Sequence, residues 1–387
     1  MDKLYYNLVN NNNNNNKNKR KNDPPPPPPP KRPNIHIFYD DDGNPYYFDD
    51  DNNHDDTDIE PPIIPEIREE DKPLVEIDKE INSIDDLIEL GKMYDSTKRY
   101  NIDLKILHRM VPSLTELNNM IGMNTVKQDI VDHILFKIQN LDESNMDMMH
   151  TVIQGPPGVG KTEVAKIIGK IYLAMGILKN DKFIKAGRAQ LIGEFLGQTS
   201  RLTKKIIESA EGGVLFIDEV YSLGNPEKRD SYSKECIDCI NESLTEKKTD
   251  FICIIAGYKK EIDSCFFSYN PGLERRFPIR FTIEPYNASE IFLIFKKKVI
   301  DATWTLHSNV TDKFFIDNFA HFKYFGGDME VLFSRCKRAH ARRVFASKNG
   351  VKKELDMVDM KRGFDSFKAH RKVKEKEESD VWKTMFM

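Results

Sequence analysis

The pattern of apolar and polar positions divides the chain of 387 residues into segments of different period. Through the middle of the chain, short apolar runs alternate with stretches of helical periodicity, which predicts strands joined by crossover helices. The predicted strands are Thr151–Gln154, Lys182–Lys185, Gly213–Ile217, Phe251–Ala256 and Ile279–Ile283. This alternation favours an α/β fold built on a parallel sheet.

The segment after Pro285 shows helical periodicity alone, which predicts a smaller all-helical unit. Its first helix is expected to begin at Asn287, whose side chain would cap the helix together with Glu290. One apolar face of that helix carries Ile291, Phe295 and Val299.

The first part of the chain lacks such periodicity. Residues 1–78 contain an asparagine run (Asn10–Asn16), a proline run (Pro24–Pro30) and an aspartate-rich stretch, which cannot bury enough apolar surface to offset chain entropy. We therefore expect a disordered tail. The proline run, followed by Lys31 and Arg32, would form polyproline II and could bind an SH3- or profilin-type partner, or it could be a plain spacer.

Capping motifs that begin at Ser83 and at Ser113 each predict the start of a helix, so residues 79–118 are expected to form a helical linker. Changes in the hydrophobic periodicity set the remaining domain boundaries. They place an α/β core at 119–286, the helical unit at 287–372 and a short tail at 373–387.

Composition narrows the class of protein. Lys and Arg (58) nearly balance Asp and Glu (62), so no strong field favours nucleic acid as the partner. Cys236 and Cys239 have a spacing found in zinc sites, but they lie in a predicted helix without a second close pair, and buried thiols are the better interpretation. Because no secretory signal and no apolar run of about 18 residues is present, we expect a soluble intracellular protein in a reducing compartment, without membrane contact.

A glycine-rich loop follows the predicted strand Thr151–Gln154. It fits the pattern G-x-x-x-x-G-K-[ST], whose backbone N–H groups surround phosphate oxygens at the start of a helix. Lys161 would reach the β- and γ-phosphates, and the Thr162 hydroxyl would ligate Mg²⁺. The loop is therefore expected to bind a nucleoside triphosphate. It comprises Gly155, Pro156, Pro157, Gly158, Val159, Gly160, Lys161 and Thr162.

Two carboxylates follow the predicted strand Gly213–Ile217. Asp218 would hold Mg²⁺, directly or through water, and Glu219 would orient and polarise the attacking water. A carboxylate that activates water disfavours a small-molecule kinase, since such an enzyme would waste ATP. No N-K-x-D motif occurs, which disfavours a GTPase.

Two further strand ends carry candidate residues. Tyr258 follows the strand Phe251–Ala256, where its hydroxyl could sense the γ-phosphate or its ring could simply pack. Arg275 and Arg276 follow a turn and precede the strand Ile279–Ile283. A guanidinium there could stabilise transition-state charge at a neighbouring subunit's γ-phosphate, or the pair could be solvated or salt-bridged at the surface.

With these motifs the chain resembles AAA+ ATPases, and more narrowly the CbxX/CfqX group, which includes the red-type Rubisco activases and the SpoVK-like sporulation ATPases. The resemblance covers about residues 117–345. It implies a five-stranded parallel sheet with a helical lid, ATP and Mg²⁺ as cofactors, and a homo-oligomeric ring, commonly hexameric, with ATP bound between subunits. Beyond the glycine-rich loop, it is carried by Ile121–Lys127, Glu163–Ile177, Phe195–Gly197, Phe216–Leu223, Ala256–Tyr258 and Asn270–Phe277.

The resemblance also implies roles for single residues. Arg276 is the expected arginine finger that acts on the neighbouring subunit, with Arg275 beside it. Phe195 lies where relatives carry the aromatic residue of a pore loop, usually tyrosine, although it could instead pack inside its loop. Met329 lies where family members usually carry a lid arginine, and Arg335 or another base of the lid could substitute for it.

These features favour an ATP-hydrolysing ring that remodels an unidentified polypeptide. A nucleic-acid motor or loader shares the same core, and the basic stretch Arg335–Arg343 leaves that alternative open. A scaffold without hydrolysis is disfavoured because Lys161, Glu219 and the two arginines are all present.

Overall fold

A computed structural model describes most of the chain, and for residues 35–39, 45–49 and 373–385 it describes only the backbone. It forms two compact units, one within residues 1–66 and the other within residues 67–387. The described ranges are 35–39, 45–49, 72–141, 148–195, 197–347 and 351–385.

The first unit contains an antiparallel hairpin of strands β1 (Ile35–Tyr39) and β2 (Pro45–Asp49), with Ile35 opposite Asp49. This hairpin lies inside the segment for which composition predicts disorder. The asparagine and proline runs of that segment, and with them the proposed polyproline ligand, lie outside the described residues.

The second unit begins with a short parallel pair, β3 (Leu74–Val75) and β4 (Arg99–Tyr100), and two helices, α1 (Ile84–Lys92) and α2 (Leu104–Asn118). The predicted cap of α1 is confirmed, because the Ser83 side chain accepts a hydrogen bond from the Asp86 N–H.

The helix predicted to begin at Ser113 does not begin there, and that prediction was wrong. Ser113 lies inside α2, which begins nine residues earlier, at Leu104, and is capped by Asp103. Pro112 is contained within the helix. One apolar face runs through the whole helix, and burial of that face outweighs the loss at Pro112. The buried apolar residues are Leu104, Leu107, Met110, Leu114 and Leu117.

The central sheet has five parallel strands in the order β6-β7-β8-β5-β9. Each strand agrees within one residue at both ends with the strand predicted from the sequence, so the predicted fold class is confirmed. The strands are β5 (Thr151–Gln154), β6 (Phe183–Ala186), β7 (Val214–Ile217), β8 (Ile252–Gly257) and β9 (Ile279–Thr282).

Both faces of the central strands are buried. Successive residues of one strand enter different apolar clusters, as Val152 and Ile153 do. Helices cover the two faces, which explains the continuous apolar runs of these strands. These helices are α3 (Asn124–Ile138), α4 (Lys161–Ala174), α5 (Arg188–Leu191), α6 (Thr199–Ser209), α7 (Ser231–Glu246) and α8 (Lys259–Cys265). Single turns of 3₁₀ helix occur at Val220–Leu223, Phe267–Tyr269, Glu274–Arg276 and Phe319–His321.

Cys236 and Cys239 lie in α7, and both side chains are buried. Burial raises the pKa of Cys236 to about 12 and raises the pKa of Cys239 as well. Protonated thiols of this kind act as small apolar groups in a core.

The C-terminal part of the second unit, which we call the lid, is mainly helical. Its first helix has the predicted cap, because Asn287 and Glu290 exchange backbone-to-side-chain hydrogen bonds of 2.8 and 2.9 Å. A two-residue parallel pair, β10 (Thr305–Leu306) and β11 (Glu354–Leu355), interrupts the predicted all-helical pattern. Strands this short leave no alternation to read in the sequence. The lid helices are α9 (Ala288–Asp301), α10 (Lys313–Asp317), α11 (Phe325–Val344) and α12 (Met357–Met385).

The last helix continues through most of the segment predicted to be a C-terminal tail. Among the helices that the structure describes, none has the length and apolar character needed to cross a membrane.

Candidate nucleotide-binding site

The loop between β5 and α4 has the backbone shape of a phosphate-binding turn. Gly158 (φ 75°) and Gly160 (φ 95°) both adopt the left-handed conformation, which glycine reaches without a steric penalty. Gly160 is also the N-cap of α4, so the first unpaired N–H groups of that helix lie at the loop. The turn therefore combines backbone donors with the positive end of a helix dipole.

Lys161, the first residue of α4, folds back over this loop. Its ammonium donates to the carbonyl oxygens of Gly155 and Pro156, each over 2.9 Å, and lies 5.0 Å from the centre of the Tyr258 ring. Burial lowers the pKa of Lys161, while the charges of Asp218 and Glu219 oppose that shift. Lys161 is thus a partly desolvated cation that an anionic ligand would stabilise.

The two carboxylates predicted at the end of β7 lie close to the loop. Asp218 Oδ2 accepts a hydrogen bond from the Thr162 hydroxyl over 3.3 Å. A hydroxyl and a carboxylate oxygen are donors that Mg²⁺ prefers, so this pair fits the metal that the sequence predicts. Asp218 Oδ2 also pairs with the ammonium of Lys185, at 2.8 Å.

Glu219 occupies an unusual backbone conformation. Its φ and ψ are both 49°, in the left-handed region that a non-glycine residue rarely adopts. Residues held in this way cost of order 1–3 kcal/mol and persist when their surroundings fix them. Here the buried residues Ile217 and Val220 hold the chain on either side. Glu219 lines the cavity at the carboxyl end of β7.

These groups line one cavity of about 560 Å³ between the α/β core and the lid. Met120 and Ile121, from the segment before α3, form an apolar part of its wall. The lid contributes Ile294, Lys297 and Lys298 from α9 and Gly326, Gly327 and Glu330 from α11. The core contributes the loop, Asp218, Glu219 and Tyr258.

Tyr258 both lines the cavity and packs against a neighbour. Its ring stacks on Tyr221, with centroids 5.3 Å apart and planes inclined by 24°. Burial raises the pKa of Tyr221 strongly, and its contacts with Tyr258 and Glu219 add to that shift. The tyrosine pair joins the ends of β7 and β8 beside Lys161.

The two predicted finger arginines do not line this cavity in the part of the chain that the structure describes. Arg276 donates from Nε to the Thr245 hydroxyl and from Nη1 to the Gly272 carbonyl oxygen, both over 2.7 Å. Arg275 is exposed. Neither of the Arg276 partners carries a charge.

Phe195 lies between α5 and α6 with 65% of its surface exposed. Leu196, the next residue, lies outside the described ranges. An exposed phenylalanine beside Gly193 and Gly197 contributes little to the core of its own subunit.

Of the lid bases that could replace the missing family arginine, Lys297 and Lys298 of α9 line the cavity. Met329 is fully buried inside the lid, and neither Met329 nor Arg335 is among the described residues that line the cavity. Farther along α11, Arg343 is committed to Asp359, with hydrogen bonds of 2.9 and 2.8 Å, and to Asp356 at 3.2 Å. The end of the basic stretch therefore stabilises the lid itself.

Three features of the site were not predicted from the sequence. The Tyr286 hydroxyl donates to the Val159 carbonyl oxygen over 3.0 Å, and the Gly326 N–H donates to the Gly158 carbonyl oxygen over 3.1 Å. Both tie the lid side of the cavity to the loop. The third unpredicted feature is the contact of Lys185 with Asp218. Lys185 ends the predicted strand Lys182–Lys185, and this position could have indicated that its side chain lies near the carboxyl edge of the sheet.

Comparisons with known proteins agree with this geometry. Residues 151–285 match the model of the ATPase family associated with various cellular activities (AAA). A cfxQ-like protein of Acanthamoeba polyphaga mimivirus is 43% identical over 297 residues, which is 75% of this chain and 73% of that protein.

Two further proteins are similar to this chain. Stage V sporulation protein K of Bacillus subtilis is 36% identical over 49% of this chain and 61% of its own length. A chloroplastic ribulose bisphosphate carboxylase/oxygenase activase of Cyanidioschyzon merolae is 30% identical over 62% of this chain and 85% of its own length. The chain therefore belongs to the CbxX/CfqX group of the AAA ATPase family.

Proposed function

We propose that the chain hydrolyses ATP in a Mg²⁺-dependent reaction, as one subunit of a homo-oligomeric ring that remodels polypeptides. The observation that carries this proposal is the convergence of Lys161, Thr162, Asp218 and Glu219 on one cavity that the lid closes on its other side. A phosphate cradle, two metal-binding oxygens and a carboxylate for water are the parts that phosphoryl transfer to water needs.

The roles follow from the geometry. Lys161 would exchange the carbonyl oxygens of Gly155 and Pro156 for phosphate oxygens, which carry more negative charge. Thr162 and Asp218 would hold Mg²⁺, which neutralises charge on the phosphates when bound. Glu219 would accept a hydrogen bond from the attacking water and fix its orientation.

The ring is supported by where Arg276 lies. In the part of the chain that the structure describes, Arg276 does not line the cavity, and its guanidinium donates to the Thr245 hydroxyl and the Gly272 carbonyl oxygen. An arginine in that position can reach a triphosphate only if a second subunit brings its cavity to this surface. Transition-state stabilisation by such an arginine would couple hydrolysis to assembly.

A polypeptide substrate is supported by Phe195, an exposed aromatic side chain on the loop that precedes α6. An extended peptide offers apolar side chains that the aromatic ring of Phe195 could contact. The competing nucleic-acid motor would use the basic face of α11, but Arg343 is engaged by Asp356 and Asp359. The geometry therefore favours a peptide.

ATP turnover and nucleotide binding of two variants test the division of roles. Lys161→Ala should lose binding of a fluorescent ATP analogue, whereas Glu219→Gln should bind it and fail to hydrolyse ATP. The proposal is wrong in this respect if both variants bind equally poorly.

The substrate class is tested by stimulation of ATP turnover. We expect an unfolded protein to raise the rate, and single-stranded DNA or RNA to leave it unchanged. Phe195→Ala should abolish the stimulation and keep basal turnover. Stimulation by nucleic acid alone would instead support the motor or loader.

A further inference from the structure

Lys185 and Asp218 come from neighbouring parallel strands, and Asp218 lines the cavity. Lys185 lies in β6 opposite Phe216 of β7, and Asp218 follows the last residue of β7. The Lys185 ammonium lies 2.8 Å from Asp218 Oδ2. That same oxygen accepts the hydrogen bond from Thr162.

We propose that Lys185 competes with Mg²⁺ for Asp218 and so sets the Mg²⁺ concentration at which the nucleotide site becomes loaded. The inference rests on the proposed function, in the part that gives Mg²⁺ to Thr162 and Asp218. It adds a residue that opposes metal binding at that site.

The competition has two physical sources. Asp218 Oδ2 is shared between an ammonium and a hydroxyl, so its lone pairs are engaged before a metal arrives. A metal ion or its bound water that approaches this oxygen also meets the positive charge of Lys185, and like charges at such distances repel. Each therefore lowers the occupancy of the other at Asp218.

The lysine can leave at little cost. Its side chain is 57% exposed, so water can solvate the ammonium once Asp218 binds Mg²⁺. Exposure also screens its charge, and we expect removal of that charge to tighten Mg²⁺ binding about ten-fold rather than by several orders of magnitude. Glu219 is the other carboxylate at this edge, and it lines the cavity beside Asp218.

The test measures binding and not turnover. In a Glu219→Gln background, which should not hydrolyse ATP, a fluorescent ATP analogue is bound and MgCl₂ is titrated. Lys185→Met removes the charge and keeps the length of the side chain, whereas Lys185→Arg keeps the charge. A matched control is Lys204→Met, because Lys204 is 52% exposed and forms an ion pair at 3.5 Å with Glu242, a carboxylate that does not line the cavity.

We expect Lys185→Met to lower the Mg²⁺ midpoint about ten-fold, and Lys185→Arg and Lys204→Met to leave it within two-fold. An unchanged midpoint in Lys185→Met would show that the ion pair has no influence on the metal. A raised midpoint, or weaker binding of the analogue in EDTA, would show that Lys185 serves the nucleotide itself. Either result overturns the proposal.

Asp218→Asn separates this inference from the proposed function. If Asp218→Asn leaves the Mg²⁺ midpoint unchanged, Asp218 does not hold the metal, and the proposed site fails with the inference. If Asp218→Asn raises the midpoint and Lys185→Met has no effect, only the inference fails. In the double variant, the effect of Lys185→Met should disappear, since its target carboxylate is gone. Melting temperatures without nucleotide check that each variant folds.

Discussion

Gly158 and Tyr324 approach so closely that a Cβ atom at Gly158 would overlap the Tyr324 carbonyl oxygen. Next to this contact, the Gly326 N–H donates to the Gly158 carbonyl oxygen over 3.1 Å. The phosphate-binding loop and the start of α11 therefore touch through their backbones. Because Gly158 and Gly326 both line the cavity, this backbone contact directly links the lid to the nucleotide site.

Substitution of Gly158 tests this link. Gly158→Ala should destabilise the fold by about 1 kcal/mol through its left-handed φ, and should also push the lid from the loop and weaken binding of an ATP analogue at least ten-fold. Gly176→Ala is the matched control. Gly176 has φ 77°, but a Cβ there would meet nothing within 4 Å.

Gly176→Ala should therefore lose only the roughly 1 kcal/mol of unfolding free energy in urea that comes from its positive φ, and should keep normal nucleotide affinity. Equal nucleotide affinity in the two variants would mean that the contact between Gly158 and Tyr324 has no part in holding the lid.

The N-terminal segment should be removable up to about residue 71 without loss of stability, and deletions that extend farther should destabilise the fold. β3 pairs with β4, and Ile77 exchanges two hydrogen bonds with the Asn101 side chain, of 2.8 and 3.0 Å. Deletion of residues 1–71 should leave the melting temperature and basal ATP turnover unchanged. Deletion of residues 1–78 removes these contacts and should lower the free energy of unfolding by roughly 1–3 kcal/mol.

Thermal melts of the two truncated proteins and the full chain, followed by circular dichroism, measure the difference. A large fall in melting temperature on deletion of residues 1–71 would show that the tail packs on the second unit.

Stability should fall as pH falls from 6.5 to 4. Burial lowers the pKa of His133 and of His150 to about 4, from an ordinary value of 6.5. In this window the unfolded chain binds protons at these positions and the folded chain does not, so the free energy of unfolding declines. Above pH 6.5 both states are neutral at these residues and their contribution is constant. The expected slope is about 1.4 kcal/mol per pH unit for each histidine.

Urea unfolding at several pH values measures that slope. His133→Phe removes one titrating group and keeps an aromatic ring against Tyr172 and Phe281. The slope should then fall by about half. An unchanged slope would assign the pH dependence to other groups.

The sheet could be predicted from the sequence because each of its strands is marked by the same local pattern, a short apolar run. Strands such as Val214–Ile217 are buried on both faces, so they form uninterrupted apolar runs that end at polar residues. The glycine-rich loop and the carboxylates after β7 follow from the same strand ends. The cap at Asn287 depends on residues three positions apart, which the sequence also displays.

The remaining features depend on tertiary contacts. Ser113 carries a local capping pattern, but the face that α2 buries decides where that helix begins. Tyr286 reaches Val159 from a position 127 residues away, and no local pattern marks it. The Arg276 Nη1 group donates to the Gly272 carbonyl oxygen. Backbone acceptors of this kind are invisible in a sequence.

Arg276 gives the last prediction, which concerns catalysis across subunits. The Thr245 hydroxyl accepts from Arg276 Nε over 2.7 Å and donates to the Asn241 carbonyl oxygen over 3.0 Å. These two hydrogen bonds of Arg276 restrain the direction of its guanidinium. Arg276→Ala should bind ATP normally and hydrolyse it at least about 100-fold more slowly, since fingers of this kind contribute on the order of 10³–10⁵ in rate.

Mixing variants tests whether the arginine acts in trans. Lys161→Ala should be inactive because it does not bind ATP, but at a mixed interface it offers an intact Arg276 to the intact cavity of an Arg276→Ala subunit. The mixture should therefore regain part of the activity at fixed total protein. When the donor also carries Thr245→Val, we expect the recovered rate to be about ten-fold lower, because the arginine loses a hydrogen bond that orients it. Thr245→Ser in the donor should preserve the recovery. A rate that follows the linear average of the two inactive variants at every ratio, with sedimentation showing monomers under ATP, would rule out both the finger and the ring.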